Sequence, residues 1–142
     1  MVVYAPRADR VVATQTVRTN RNQSDADRVR DIISALNLLW REQGEPLATV
    51  AVETQYAGRG PAQSASTMRG PATVRGAVMA WAWLSGLDVV EVAPHDAKRA
   101  LTGKARASKQ QMMGMATARY GLSVTEHEAD ALGMALVAAR GG

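Results

Sequence analysis

Two places in this 142-residue chain carry side chains suited to metal-assisted chemistry: Glu53, and the segment Glu126-His127-Glu128-Ala129-Asp130. Glu53 ends residues 47–53 (LATVAVE), an apolar run that reads as a buried strand. In α/β sheets the ligand crevice lies beyond the carboxyl ends of strands, and a carboxylate there costs desolvation unless something pairs with it. A divalent cation would pair with it, and so would a salt bridge at the strand end. Acidic residues at 126–130 also suit a first helical turn for dipole reasons alone. At about 100° per residue, His127 and Asp130 share a stripe with Met134, Val137 and Ala138, whereas Glu128 falls opposite with Leu132, Ala135 and Leu136. A His and an Asp at i, i+3 can ligate one cation. Together with Glu53 they would form an oxygen-rich site for Mg²⁺ or Mn²⁺, of the kind that clamps attacking and leaving oxygens of a phosphodiester.

The cations are unevenly placed. Residues 1–53 hold seven basic and seven acidic side chains, residues 54–120 nine and three, and residues 121–142 one and three, giving the chain its net +4. The middle block contains Tyr56, Arg59, Arg69, Arg75, Lys98, Arg99, Lys104, Arg106 and Lys109. It fits either a polyanion such as nucleic acid, whose counterions would be released on binding, or a solvated surface. Tyr56, beside Gly58-Arg59-Gly60, could stack on an unpaired base or pack its ring on the sheet end. No Gly-Lys-Ser/Thr follows, so the segment is not a P-loop.

With no cysteine, disulfides, zinc-thiolate sites and thiol nucleophiles are excluded. No apolar run approaches the roughly 18 residues of a membrane span, and the first ten residues lack a signal peptide's apolar core. The expectation is one cytoplasmic domain spanning 1–142, with no membrane partner.

These residues need a scaffold. Residues 2–4 and 10–19 read as strands joined by a turn at Pro6 and Asp9, and Ser24 caps a helix running to about Gln43. A small-residue loop at 57–67 leads to a helix at 72–84, whose Gly76, Ala77 and Ala80 permit close packing. Residues 88–92 form a strand, 95–101 a short helix, 109–120 a helix capped by Ser108, and 126–140 the last helix. Trp81 and Trp83 belong to the core or a subunit interface, and Met112, Met113 and Met115 to packing. The order gives an α/β layered fold.

VAVE followed by TQY, then VEVAPHDAKRALTG, ASKQQM and HEADALGMAL, resembles the RuvC family of Holliday junction resolvases within the RNase H-like superfamily. The resemblance runs from Val50 to Ala139 and implies a mixed central sheet flanked by helices. By that likeness Glu53 is the second catalytic carboxylate, Tyr56 the aromatic at the junction crossover, and His127 and Asp130 the third and fourth metal-site residues. It places Lys98 and Lys109 near scissile or neighbouring phosphates. It implies two Mg²⁺ per site, with Mn²⁺ as a substitute, four-way or other branched DNA as substrate, a homodimer, and a branch-migration complex as partner. Arg59, Arg69 and Lys104 join Tyr56, Lys98 and Lys109 as candidate DNA contacts.

The N-terminus departs from the family pattern. Family members open with a strand containing Gly-Ile/Leu-Asp, whose aspartate is the first metal ligand. Neither strand before Ser24 holds an aspartate in its interior, and Asp9 lies in the turn. Because the opening strand sits in the middle of such a sheet, its loss would leave two neighbours with unpaired backbone, so the expectation is that about 15 residues are missing. Two further readings follow: a junction-binding module that does not cut, and a structural RNase H-like domain using its basic block for RNA or protein contacts.

Overall fold

The computed structural model describes residues 1–20, 22–43, 46–54 and 65–141, with the side chains of 65–69 set aside. Strand β1 (Val2–Ala5) turns through a 3₁₀ segment at Pro6–Ala8 into β2 (Arg10–Thr14). The turn closes on Asp9 at φ 43°, in the left-handed region that Asp tolerates better than most residues. Helix α1 (Asp25–Gln43) begins as its sequence requires, with Ser24 Oγ accepting the Asp27 N–H at 3.1 Å. Then come β3 (Thr49–Glu53), α2 (Ala65–Leu84), β4 (Asp88–Val92), α3 (Pro94–Thr102), α4 (Lys109–Tyr120) and α5 (Glu126–Gly141).

The strands form two pairs. β1 and β2 are antiparallel, with an irregularity between Val3 and Tyr4, and β3 and β4 are parallel, linked by the α2 crossover that parallel pairing demands. Among the described residues the expected continuous mixed sheet is therefore split in two.

Two hydrophobic clusters hold the helices. Leu101, Met112, Ala116, Ala129, Leu132 and Leu136 fill one, between α3, α4 and α5, with Val2, Tyr4 and Val11 of the β1–β2 pair packed against it. The other lies under α1 and α2, where Trp81, Ala82 and Leu87 meet Ile33, Leu36, Trp40 and Val50. Trp81 sets its ring edge-on to Trp40 at 5.6 Å and donates from Nε1 to Asn37 Oδ1 at 2.9 Å, which satisfies its one polar atom.

Several boundaries differ from expectation. β2 stops at Thr14 rather than 19, because Thr14 pairs with Val2 and β1 offers no partner beyond Met1, whose carbonyl takes the Gln15 N–H. β3 starts at Thr49 rather than 47, and it is not fully buried: only Val52 is, while Thr49 and Glu53 are exposed. α2 begins at Ala65 rather than 72. Pro71 sits inside the helix, where its missing N–H costs one bond without ending it. Residues 65–67, expected in the loop, are thus helical, and residues 57–64 of that loop lie outside the described residues.

The close helix contact is also elsewhere. A Cβ on Gly76 would meet nothing within 4 Å, whereas one on Gly133 would sit 2.6 Å from the Ala97 carbonyl oxygen. Gly133 is what lets α5 lie against α3. Trp83, expected in the core or an interface, is 80% exposed in this chain and lies outside the core.

Candidate functional site

Helices α4 and α5 each begin with a capping box. Ser108 Oγ accepts the Gln111 N–H while the Gln111 side chain accepts the Ser108 N–H. In the same way Glu128 accepts the Thr125 N–H at 2.9 Å and Thr125 Oγ1 accepts the Glu128 N–H at 3.3 Å. That backbone bond, with the Thr125 and Thr16 hydroxyls, holds Glu128 below the ordinary carboxylate range. Its carboxylate is committed to the cap.

The neighbouring side chains are left facing outward. Lys109, the first residue of α4, donates from Nζ to Glu126 Oε1 at 2.8 Å. This bond raises the lysine and lowers the glutamate, and the charge of Asp130 adds a smaller upward push on Lys109. His127 Nε2 lies 4.0 Å from the same Glu126 oxygen, and the His127 side chain is 75% exposed. Asp130 is half-buried one turn further along. Lys109, Glu126, His127 and Asp130 therefore share one corner, made by two helix starts.

Glu53 stands at the end of β3, opposite Val92 of β4 in the parallel register. The chain leaves the strand through Thr54, whose N–H donates to the Val92 carbonyl at 2.9 Å. Arg75 of α2 braces this end, donating from Nε to the Glu53 carbonyl oxygen at 3.1 Å and from its other arm to the Glu91 carboxylate. The Glu53 carboxylate remains exposed.

The donor types of Glu53, His127 and Asp130 suit a hard divalent cation. Their positions do not yet form its cage: among the described residues, no group of three His, Asp or Glu side chains is close enough to hold a metal ion.

Of the candidate DNA contacts, Lys98 on α3 is half-buried, and Lys104, in the turn after α3, is exposed along with Arg106. None of the three forms an ion pair among the described residues. Arg69 falls within α2, and its side chain is among those set aside. Tyr56 and Arg59 lie outside the described residues.

A cluster that the sequence reading passed over lies nearby. Tyr4 and Tyr120 both donate to Asp9 Oδ1, at 2.6 and 3.0 Å, with their rings edge-to-face at 6.2 Å. The two hydroxyls hold Asp9 below the usual carboxylate range, while burial raises Tyr4 and Tyr120. The clasp ties the β1–β2 turn to the end of α4, so Asp9 is a fastening rather than a ligand. Its only sequence signal was an aspartate in a tight turn; the partner 111 residues away left none.

Comparison with known proteins places this arrangement. The family model described as "Crossover junction endodeoxyribonuclease RuvC" matches residues 2–138. A protein of that name from Prosthecochloris aestuarii is 38% identical over 131 residues, covering 89% of this chain and 66% of the relative. One from Clavibacter michiganensis is 33% identical, with 91% and 61% covered. This chain thus spans just under two thirds of the length of those relatives. Among solved structures, "Thermus thermophilus RuvC structure" matches with TM-score 0.67 at 30% identity, covering 89% of this chain and 75% of that one. "T. thermophilus RuvC in complex with Holliday junction substrate" matches with TM-score 0.72 at 24% identity, with 93% and 81% covered, and supports the fold. The corner of α4 and α5 and the end of β3 thus stand on an RNase H-like α/β scaffold, and the chain belongs to the RuvC family.

Proposed function

We propose that this chain is the nuclease part of a structure-specific endonuclease that cuts four-way and other branched DNA by metal-dependent phosphodiester hydrolysis. The observation that carries the reading is the family match over residues 2–138, which takes in both Glu53 and the 126–130 helix start. In this reading Glu53 and Asp130 hold the metal and His127 ligates it or positions water. The metal is Mg²⁺, with Mn²⁺ as a substitute, two per site; when bound it would neutralise phosphate charge and lower the pKa of water.

The chain's own cations do the rest. Lys98 and Lys109 neutralise phosphate charge next to the scissile bond, and Tyr56, Arg59, Arg69 and Lys104 hold the arms of the junction. Lys109 is charged and tethered to Glu126 by an exposed ion pair, which a phosphate can replace at little cost. Homodimerisation would place two sites on two strands. The exposed Trp83 and Leu84 of α2, 80% and 87% accessible, with Leu38 of α1, support such an interface. A branch-migration complex is the partner this activity would serve.

A second reading has its own observation. With no three donors gathered into a metal cage among the described residues, the second reading is a module that binds junctions without cutting them. Incubation of a synthetic four-way junction with the protein and Mg²⁺ separates the two. Symmetric nicks with ligatable ends, lost in Asp130→Asn while junction binding persists, support the nuclease. Salt-sensitive binding with no nicks supports the module, and a variant that fails to fold would assign Asp130 a structural role.

A further inference from the structure

Helix α4 carries at its centre a glycine, Gly114, that the packing of the chain does not require. Glycine is among the least favourable residues in a helix interior, because it gives up the most backbone freedom. Two internal reasons could keep it there. One is a left-handed backbone, which among the described glycines belongs to Gly86, Gly103 and Gly121 instead. The other is a close neighbour, as at Gly133, but a Cβ on Gly114 would meet nothing within 4 Å.

Gly114 is exposed and borders a notch of about 320 Å³, lined also by Thr102, Lys104, Gln111, Met115 and Ala118. The walls of the notch are fixed by the fold itself. Thr102 Oγ1 donates to the Lys98 carbonyl at 2.8 Å and accepts the Lys104 N–H at 3.1 Å. Gly103 closes α3 in the left-handed conformation, and Ala107, 2% exposed, anchors the far end of the turn. The Gln111 side chain accepts the Ser108 N–H at 2.9 Å.

Charge selects the occupant. Residues 97–125 hold six basic side chains and no acidic one. Lys104 on the rim and Arg106 two residues on are exposed, and neither forms an ion pair among the described residues. The floor of Gly114, Met115 and Ala118 is apolar. A cation beside a small apolar floor matches a deoxyribose-phosphate unit, with the phosphate on the ammonium and the carbon face of the sugar on the floor. The volume lies at the small end of ligand sites, about 300 Å³, which suits one such unit.

We propose that this notch seats one deoxyribose-phosphate unit of a junction arm, its phosphate on Lys104 and its sugar against Gly114, Met115 and Ala118. The inference rests on the branched-DNA reading and deepens it: beyond a cation at Lys104, it names a sugar site and gives Gly114 a purpose. Such a contact positions a strand without reading its sequence.

The test measures binding of a labelled four-way junction to the full 142-residue chain, with Tm recorded for each variant. Gly114→Leu installs a strong helix former and fills the notch. It should raise Tm by about 2 °C while weakening junction binding about tenfold. A folding defect would lower both, so the opposite signs separate site from scaffold. Should that variant not fold, Gly114→Ala should move both in the same senses, with a loss of about threefold. Lys104→Gln should weaken binding about threefold and lower the salt slope by about one. In the unaltered chain, the NMR signal of the Met115 ε-methyl should shift on addition of a short oligothymidylate. The proposal is overturned if the Gly114 variants bind like the unaltered chain, if the Met115 signal stays in place, or if polyglutamate moves it equally. A chain that binds no DNA overturns the branched-DNA reading as well, whereas unchanged binding by the variants overturns the notch alone.

Discussion

The two hydrophobic clusters of this chain are built to different degrees of completion. Around α3, α4 and α5, eight residues are buried, α4 and α5 open on capping boxes, and α3 and α4 close on left-handed glycines. Under α1 and α2 fewer residues, Ile32, Leu39, Trp81, Ala82 and Leu87, reach that burial, and Ile32, Leu36 and Val78 also line a cavity. The first region is assembled from segments close in sequence, residues 94–141, whose contacts need no sheet to form them. The second depends on two strand pairs that do not meet. Local sequence can finish a helical cluster, whereas a sheet core needs strands distant in sequence to pair.

Substitutions can break or sharpen this contrast. Leu132→Ala, 1% exposed in the finished cluster, should cost about 3 kcal/mol, read as a lowered denaturant midpoint with unchanged m. Gly133→Ala drives a methyl against the Ala97 carbonyl and should cost about 2 kcal/mol by forcing α3 and α5 apart, with Tm as the readout. Val78→Ala, on the wall of the cavity, should cost about 1 kcal/mol or less, because its side chain already lacks contacts on one side. A loss at Val78 as large as that at Leu132 would erase the distinction between the regions.

The smallest effect is pH-dependent. The Tyr4 and Tyr120 hydrogen bonds lower the Asp9 pKa in the folded protein, so the stability they lend is present above the unfolded value of about 3.9 and is lost as pH falls through the folded value. The Tm difference between the unaltered chain and Asp9→Asn should therefore be steady from about pH 8 to 5 and shrink below about pH 4. A difference that grows on acidification would contradict the clasp.

Much of this was legible in the sequence because it is local. Ser24, Ser108 and Gly121 announced their helix ends, and the helical stripe separated His127 and Asp130 from Glu128, whose carboxylate is indeed bound to Thr125. What was not legible depends on distant partners. The length of β2 is set by where β1 ends, Pro71 is carried by a helix that starts before it, and the glycine that matters is Gly133, facing Ala97, rather than Gly76. At the candidate site the sequence named the donor types, and only the fold could say that Lys109, Glu126, His127 and Asp130 share a corner while Glu53 stands at a strand end.

The central claim, that the basic middle and the α4–α5 corner serve branched DNA, is tested most directly by competition. Binding of a labelled four-way junction would be measured against unlabelled duplex of the same sequence and against RNA of matched length, across a salt series. The account predicts that the junction binds at least about tenfold more tightly than either competitor, with affinity falling steeply as salt rises. Equal affinity for junction, duplex and RNA would contradict it and leave a structural domain with a basic surface.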